Sequence, residues 1–538
     1  MTEPTPPRRR PHYLEAILLA VAFAVAHTQS PLYYSNQNQY LLHGLADGGL
    51  GHLSHDWLAR TTDPTPVFSA LVSAGYRHLG EWSFQAAYFL LLALYFLSAR
   101  WLVAALPGVP DTRAFRLLWA AGFVAAHAAV LRVASVAAVG VDYPWYFQAG
   151  VAAQYLLGPG VQPSAFGVLL VTALAAFANR RPVLACGLAA LPCALHGTYL
   201  LPSGFVVFGF LVAMFRQEEH AGPRAFAGML VASAVAVPVA AWTLFTFGPE
   251  NTTTFEQAQR ILAEVRIPHH CVVTRWFDLV AGLQVAWIAV GVALLWRSRL
   301  FLPVLLAALL GLGATLVQYD SGNPTFALAF PWRISVLLVP VATAVVAARL
   351  AALVPASRAA EAAGAALVLA LAAGGVWVTL AGKGYRTNDA EDATYAYLRA
   401  NATAGDVYLL PVKLPPVGTG RGAVSNTFQP PPRAKEGTNQ IPVDWQRFRL
   451  HGGARVYVDF KSVPYADVQV LEWLRRMKKC EAWYQAWHEG GRNADDVLED
   501  LRREGVTHVV GTRDRPIAAD YLEEVDFRDP NYVIYRVK

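Results

Sequence analysis

Charge is scarce in this chain. Lys, Arg, Asp and Glu make up only 15 % of its 538 residues, whereas 55 % are hydrophobic and the mean hydropathy is +0.33. A single aqueous globule cannot hide so much apolar surface, and the shortage of charge implies a bilayer. Cysteine is sparse as well. Cys186 and Cys193 lie inside one apolar run, Cys271 and Cys480 lie in polar stretches, and no C-x-x-C spacing points to a zinc site or a redox dithiol. The phosphate-cradling G-x-x-x-x-G-K-[ST] run is missing, which leaves an energised pump without a motif. A basic stripe with interleaved aromatics is also missing. The net charge of +6 comes largely from arginines that flank hydrophobic segments, so nucleic acid is not an expected partner. Arg8, Arg9 and Arg10 precede an apolar segment from Tyr13 to Ala26 much as in a signal peptide, but no clear small-residue cleavage site follows. That segment reads as an uncleaved first helix.

The apolar excess is uneven. Residues 1–384 carry long runs of Ala, Val and Leu, whereas residues 385–538 have the charge density of a soluble protein. The expected fold is therefore a polytopic α-helical membrane protein with a transmembrane domain over 1–384 and a soluble α/β domain over 385–538. A span needs roughly 20 apolar residues, and about eleven segments approach that length. They fall near 13–30, 82–99, 114–139, 163–179, 182–197, 202–215, 225–247, 278–296, 300–318, 331–349 and 362–381. Arginine placement gives an independent topology, because positive residues in short loops favour the cytoplasmic side. With the N-terminus inside, the loops holding Arg100 with Arg113 and Arg116, Arg180 with Arg181, Arg216 with Arg224, Arg297 with Arg299, and Arg349 with Arg358 all fall inside. The long aromatic loops near 31–81, 140–162, 248–277 and 319–330 then fall outside, and the C-terminal domain is extracytoplasmic on an inner (plasma) membrane. Within that domain, helices are expected over 392–401, 466–487 and 494–504, and strands over 406–412, 454–460, 507–512 and 532–537. The Pro- and Gly-rich stretch 415–442 reads as a long loop.

Several residues suit chemistry. The first outer loop concentrates amides, acids and aromatics in Tyr33-Tyr34-Ser35-Asn36-Gln37-Asn38-Gln39-Tyr40, His55-Asp56-Trp57 and Asp63-Pro64. Such groups suit a hydroxyl-rich or phosphorylated ligand, or equally the packing of the loop under the terminal domain. Arg333 opens the tenth helix on the outer side, where a positive charge does nothing for orientation. A pair with Asp320 is its alternative role. Arg132, inside the third helix, has Asp142 as a candidate partner, and His196 at a helix end either caps, packs or contacts a ligand. The loop Arg266-Ile267-Pro268-His269-His270-Cys271 offers two imidazoles and a thiol. Substrate contact, ordinary packing and a divalent metal all remain open for His269 and His270, although a metal needs further ligands. Cys271 and Cys480 fall on the same side of the membrane, which permits a disulfide. Asp459 and Lys461 share one face of the strand expected over 454–460.

The order of a single helix, an acid-containing outer loop, many helices and a terminal extracytoplasmic α/β domain resembles the GT-C class of glycosyltransferases. The resemblance implies a polyprenyl-phosphate-linked sugar as donor, Arg333 on the donor phosphate, and a catalytic Asp soon after the first helix. In this sequence the stretch in question reads Asn36-Gln37-Asn38-Gln39-Tyr40-Leu41. An amide cannot take a proton from a hydroxyl at neutral pH, so the resemblance leaves Asp56 or Asp63 as the catalytic base. Local patterns resemble more closely a set of uncharacterised bacterial multi-pass membrane proteins. They are Asn36-Gln37, Asp56-Trp57, Asp63-Pro64, Gln162-Pro163-Ser164 and His196-x-Thr198-Tyr199. Asn38, Gln162, His196, Tyr199, His269 and His270 are the expected substrate contacts. Two rival readings stand beside glycosyl transfer: a non-catalytic envelope binding or assembly protein with the same shell, and a transporter. The membrane lipid or lipid-linked sugar is the expected partner in the first two.

Overall fold

The computed structural model describes residues 12–217, 221–249, 251–385, 389–412, 414, 445, 447–489, 494–527 and 529–538. The loop expected over 415–442 lies outside them. Helices occupy all eleven apolar segments. They are α1 (Tyr13–His27), α2 (Trp82–Ala104), α3 (Arg113–Ala125, then Ala129–Val139), α4 (Val168–Ala178), α5 (Pro182–Leu195), α6 (Leu200–Gln217), α7 (Ala221–Phe247), α8 (Leu279–Leu294), α9 (Phe301–Ser321), α10 (Ser335–Ala352) and α11 (Arg358–Leu380). Six helices are long and apolar enough to cross a bilayer, and the two halves of α3 together make a seventh with a 47° bend. Helices α1, α4, α5 and α8 are apolar but shorter. The chain is a multi-pass membrane protein.

Small residues let these helices close on one another. A side chain at Gly375 in α11 would sit 2.8 Å from the Cα of Ala26 in α1, so only glycine permits that crossing. At the bend of α3, His127 bonds the carbonyl of Phe123 (2.8 Å). Arg132 in the second half is fully buried and pairs with Asp142 at 2.7 Å beneath the Trp145 ring, so its charge is neutralised locally.

Residues 389–538 add α12 (Asp392–Asn401), α13 (Phe448–Gly452), α14 (Asp467–Glu489) and α15 (Ala494–Arg503) around a four-stranded sheet. Its strands are β1 (Tyr408–Leu409), β2 (His508–Thr512), β3 (Leu522–Glu524) and β4 (Tyr532–Val537), in the order β1-β2-β4-β3 with only β1 and β2 parallel. The strand expected over 454–460 does not form. Tyr408 and Val456 make a single bridge, closed by the Tyr408 N–H on the Arg455 carbonyl and the Tyr457 N–H on the Tyr408 carbonyl, while the Val456 N–H on the other edge donates to the Asp56 carboxylate at 2.9 Å. The α/β unit has its own aromatic core around Trp445, Trp473, Trp483 and Tyr484, into which Ala258, Ile261 and Leu262 reach from the α7–α8 connection. Conversely Leu450 belongs to the helical core.

The first loop and the α/β unit are joined by a buried ionic clasp. Asp56 and Asp459 both accept from Arg449, the first at 3.0 Å, and all three side chains are at least 95 % buried. The second oxygen of Asp56 takes the Leu58 N–H at 2.9 Å. Nearby, the backbones of Gly51 and Gly453 meet with no room for a side chain, both in the left-handed region. Cys271 packs with Trp276 and Trp332, while Cys480 bonds the Leu410 carbonyl inside the α/β core, so both are free thiols and the possible disulfide is not formed.

Two outcomes follow for the purified protein. Replacing Asp56 by Asn strands a buried guanidinium with half its partners and should lower unfolding stability by about 3 kcal/mol, whereas Asp63→Asn should cost less than about 1. Thermal unfolding in detergent compares them. Thiol labelling after denaturation without reductant should titrate both Cys271 and Cys480.

Candidate functional site

Where the first loop, the α7–α8 connection and the α/β unit converge, they enclose a cavity of about 600 Å³. The first loop supplies Asn36, Gln39 and Tyr40, the α5–α6 turn supplies His196 and Thr198, and the end of α7 supplies Trp242 and Phe247. Arg266, His269 and His270 enter from the α7–α8 connection, Arg333 from the turn before α10, and Lys461 with Tyr465 from the α/β unit. Among the described residues no Asp or Glu lines it. The described lining thus gathers three cations and no carboxylate.

Local backbone chemistry aims these groups. Phe330 adopts a left-handed conformation (φ 51°) ahead of Pro331, and the 3-10 turn Pro331–Ile334 starts there, with the Arg333 N–H bonded to the Phe330 carbonyl at 2.8 Å. A tight turn with three residues per revolution separates the directions of successive side chains. Arg333 therefore enters the cavity, while Trp332 and Ile334 line a different groove. The Arg333 guanidinium lies 4.8 Å over the Tyr199 ring, is 8 % exposed, and its Nε has no hydrogen-bond partner. Arg266 donates to the Lys461 carbonyl and stacks on Phe460 at 5.2 Å, and its Nε is likewise unpartnered. Gln39 clamps the backbone of Val463 from both sides, accepting its N–H at 2.7 Å and donating to its carbonyl at 3.0 Å, which fixes Lys461 and Tyr465 against Tyr40.

Electrostatics follow from this crowding. Burial and the neighbouring Arg266 push the Lys461 ammonium down to about 7, against the pull of Asp459. Burial, with Arg266 and Lys461, pushes His269 down to about 4, and His270 is lowered by burial and by His269. Both imidazoles are neutral at neutral pH, and His270 bonds the Ala152 carbonyl at 2.6 Å. Among the described residues no group of three or more His, Cys, Asp or Glu side chains is placed to hold a metal ion.

The residues expected from sequence are thereby sorted. His196, His269, His270 and Arg333 line the cavity. Tyr199 lies beneath Arg333 and donates to the Ser164 carbonyl at 2.6 Å. Asn38 is spent on the Tyr33 and Ser35 carbonyls, at 2.6 and 3.1 Å, and shapes the loop rather than the cavity. Gln162 is buried beside Gly158 and is not among the lining residues. Asp56 is not either, because both its oxygens are held in the clasp. Asp63 sits one residue from the lining Pro64, half-buried, with one oxygen on the Thr65 N–H at 2.8 Å. Asp320 is exposed and makes no pair with Arg333. Asp459 and Lys461, expected on one strand face, diverge because no strand forms there: Asp459 turns to Arg449 and Lys461 to the cavity. From sequence, Lys461 is expected either at the cavity rim with Asp459 or solvated, and it lines the cavity without Asp459; Arg266 is not expected as a ligand cation. The argument that singled out Arg333, a cation where orientation does not require one, applies equally to Arg266.

Comparison with known proteins adds little to this geometry. Residues 434–480 match a family described as Domain of unknown function (DUF6798). No curated protein sequence matches the chain. Among solved structures, ArnT from Cupriavidus metallidurans bound to undecaprenyl phosphate aligns over 97 % of this chain and 96 % of its own, with 11 % identity and a TM-score of 0.32. At that score no residue correspondence is drawn.

The titration of Lys461 gives a pH signature. An anion in the cavity raises its pKa, so affinity is fully present below the free value of about 7 and is lost as pH rises through the higher bound value. Dihexadecyl phosphate, singly charged throughout, should bind more weakly with rising pH, by up to about tenfold per unit of pKa elevation. Lys461→Gln should flatten that profile in a fluorescence-quenching titration.

Proposed function

We propose that the cavity binds the phosphate of a polyprenyl-phosphate-linked sugar and that the chain transfers this sugar to an envelope acceptor, as a GT-C-like glycosyltransferase. The observation that carries the reading is the convergence of Arg266, Arg333 and Lys461 on one cavity without a lining carboxylate. Guanidinium forks suit phosphate oxygens, which they can meet with two parallel N–H bonds. The rim near Trp242, Leu244 and Phe247 is apolar, and Leu244 is largely exposed, which suits the approach of a lipid-borne headgroup along α7. In this reading residues 1–384 form the membrane domain with eleven crossings, residues 385–538 form an extracytoplasmic cap, and the cavity faces the outer leaflet of the plasma membrane.

Transfer with inversion needs a base for the acceptor hydroxyl. We assign that role to Asp63, a half-buried residue next in sequence to the lining Pro64, because Asp56 has no free oxygen. A second reading, binding without transfer, is favoured by the absence of any carboxylate from the lining.

The two readings part experimentally. Both expect undecaprenyl phosphate to bind, and Arg333→Gln to weaken it by about 2 kcal/mol, the worth of one charged hydrogen bond. Only the first expects labelled sugar to leave a polyprenyl-phosphate donor, and expects Asp63→Asn to stop release while binding persists. Failure of the lipid phosphate to bind would defeat both. For topology, reporter fusions after Arg181 and Arg299 should read cytoplasmic, and fusions after Arg260 and Lys538 extracytoplasmic.

A further inference from the structure

A second concavity lies away from the cationic cavity. Between α8 and α9, floored by α10, runs an apolar groove of about 970 Å³. Its α9 wall bears Leu309, Leu312 and Leu316, each more than half exposed. At its end near the start of α8, the groove shares Val273, Thr274 and Tyr319 with a smaller cavity of about 340 Å³. Polar atoms without partners collect at this junction. The indole N–H groups of Trp276 and Trp332, both lining the groove and each 3 % exposed, donate to nothing. In the smaller cavity, Nη1 of Arg275 and Oε1 of Gln318 are buried and unpartnered, and Glu264 stands exposed at the rim without an ion pair to Arg275.

Buried donors and acceptors left unpaired cost free energy unless a ligand satisfies them. Here they are sorted by type: donors on Arg275, Trp276 and Trp332, acceptors on Gln318 and Glu264. We infer that this groove is a binding site for a zwitterionic aminophospholipid, phosphatidylethanolamine in chemical class. One acyl chain lies between α8 and α9, the phosphate meets Arg275, the indoles donate to ester or phosphate oxygens, and the ammonium reaches Gln318 and Glu264. Phosphatidylglycerol would leave Glu264 facing a neutral hydroxyl headgroup, and phosphatidylcholine has no N–H for Gln318. The site is separate from the phosphate cavity, because Arg333 faces that cavity while its neighbours Trp332 and Ile334 face the groove.

Full-length protein in nanodiscs of equal phosphatidylethanolamine, phosphatidylglycerol and phosphatidylcholine, released for native mass spectrometry, tests the assignment. We expect retained phosphatidylethanolamine to exceed each of the other lipids by about tenfold, the worth of one charged hydrogen bond. Glu264→Gln should reduce that preference to near parity with total retention little changed, and Ala289→Trp in the groove wall should reduce retention of every phospholipid. Dihexadecyl phosphate binding in the cationic cavity should survive both substitutions, which establishes that the variants are folded. Equal retention of the three lipids by the wild type, an unchanged preference in Glu264→Gln, or displacement of the retained lipid by undecaprenyl phosphate would each overturn the proposal.

Discussion

Arg449 holds the molecule's two parts in register. It lies buried between Asp56 of the first loop and Asp459 of the α/β unit. A guanidinium so placed is costly to desolvate, and such clusters persist only when every lone pair and proton is used. Here the remaining oxygens take backbone N–H groups from Leu58, Val456 and Ser462. Because the bonds are directional, they fix the spacing of the two segments as well as their contact. The Gln39 clamp on Val463 and the Ser462 hydroxyl on the Asn38 carbonyl follow from that spacing, and with them the approach of Lys461 to Tyr40 and Arg266. The cavity is a consequence of the clasp.

The clasp also marks where sequence reading stops. The eleven apolar segments are legible because bilayer thickness acts locally on chain length, and each is helical here. Helices 392–401 and 467–489 were legible for the same local reason, through periodicity. The segment 454–460 has the alternation of a strand but makes only one bridge, to Tyr408, and its other edge gives the Val456 N–H to a carboxylate 400 residues away in sequence. No local pattern carries that information. Asp56 illustrates the same limit at the site. Its partners were not readable from the sequence, and they turn an apparent base into a strut. Arg333, His196, His269 and His270 did reach one cavity, Arg333 and His196 from turns directly at helix ends and the two histidines from the long α7–α8 connection.

What the cavity lacks explains its chemistry better than what it contains. Elsewhere this protein neutralises buried cations with care: Arg132 by Asp142, Arg449 by two carboxylates, Arg447 by Glu391. Around Arg266, Arg333 and Lys461 it does not, and the cost shows in the direction of the Lys461 and Arg266 pKa values, both lowered chiefly by burial. Like charges held together in a low-dielectric pocket repel, and at an effective dielectric near 20 a pair about 4 Å apart costs about 4 kcal/mol. A fold that pairs Arg132, Arg447 and Arg449 so closely leaves these three available to an external anion. Binding one converts mutual repulsion into shared attraction and draws a proton back onto Lys461. Neutral His269 beside them can donate to the ligand without adding to the repulsion, whereas the single N–H of neutral His270 is held by the Ala152 carbonyl. In the proposed function the bound anion relieves the repulsion among these cations, and the buried clasp keeps them from separating to relieve it otherwise.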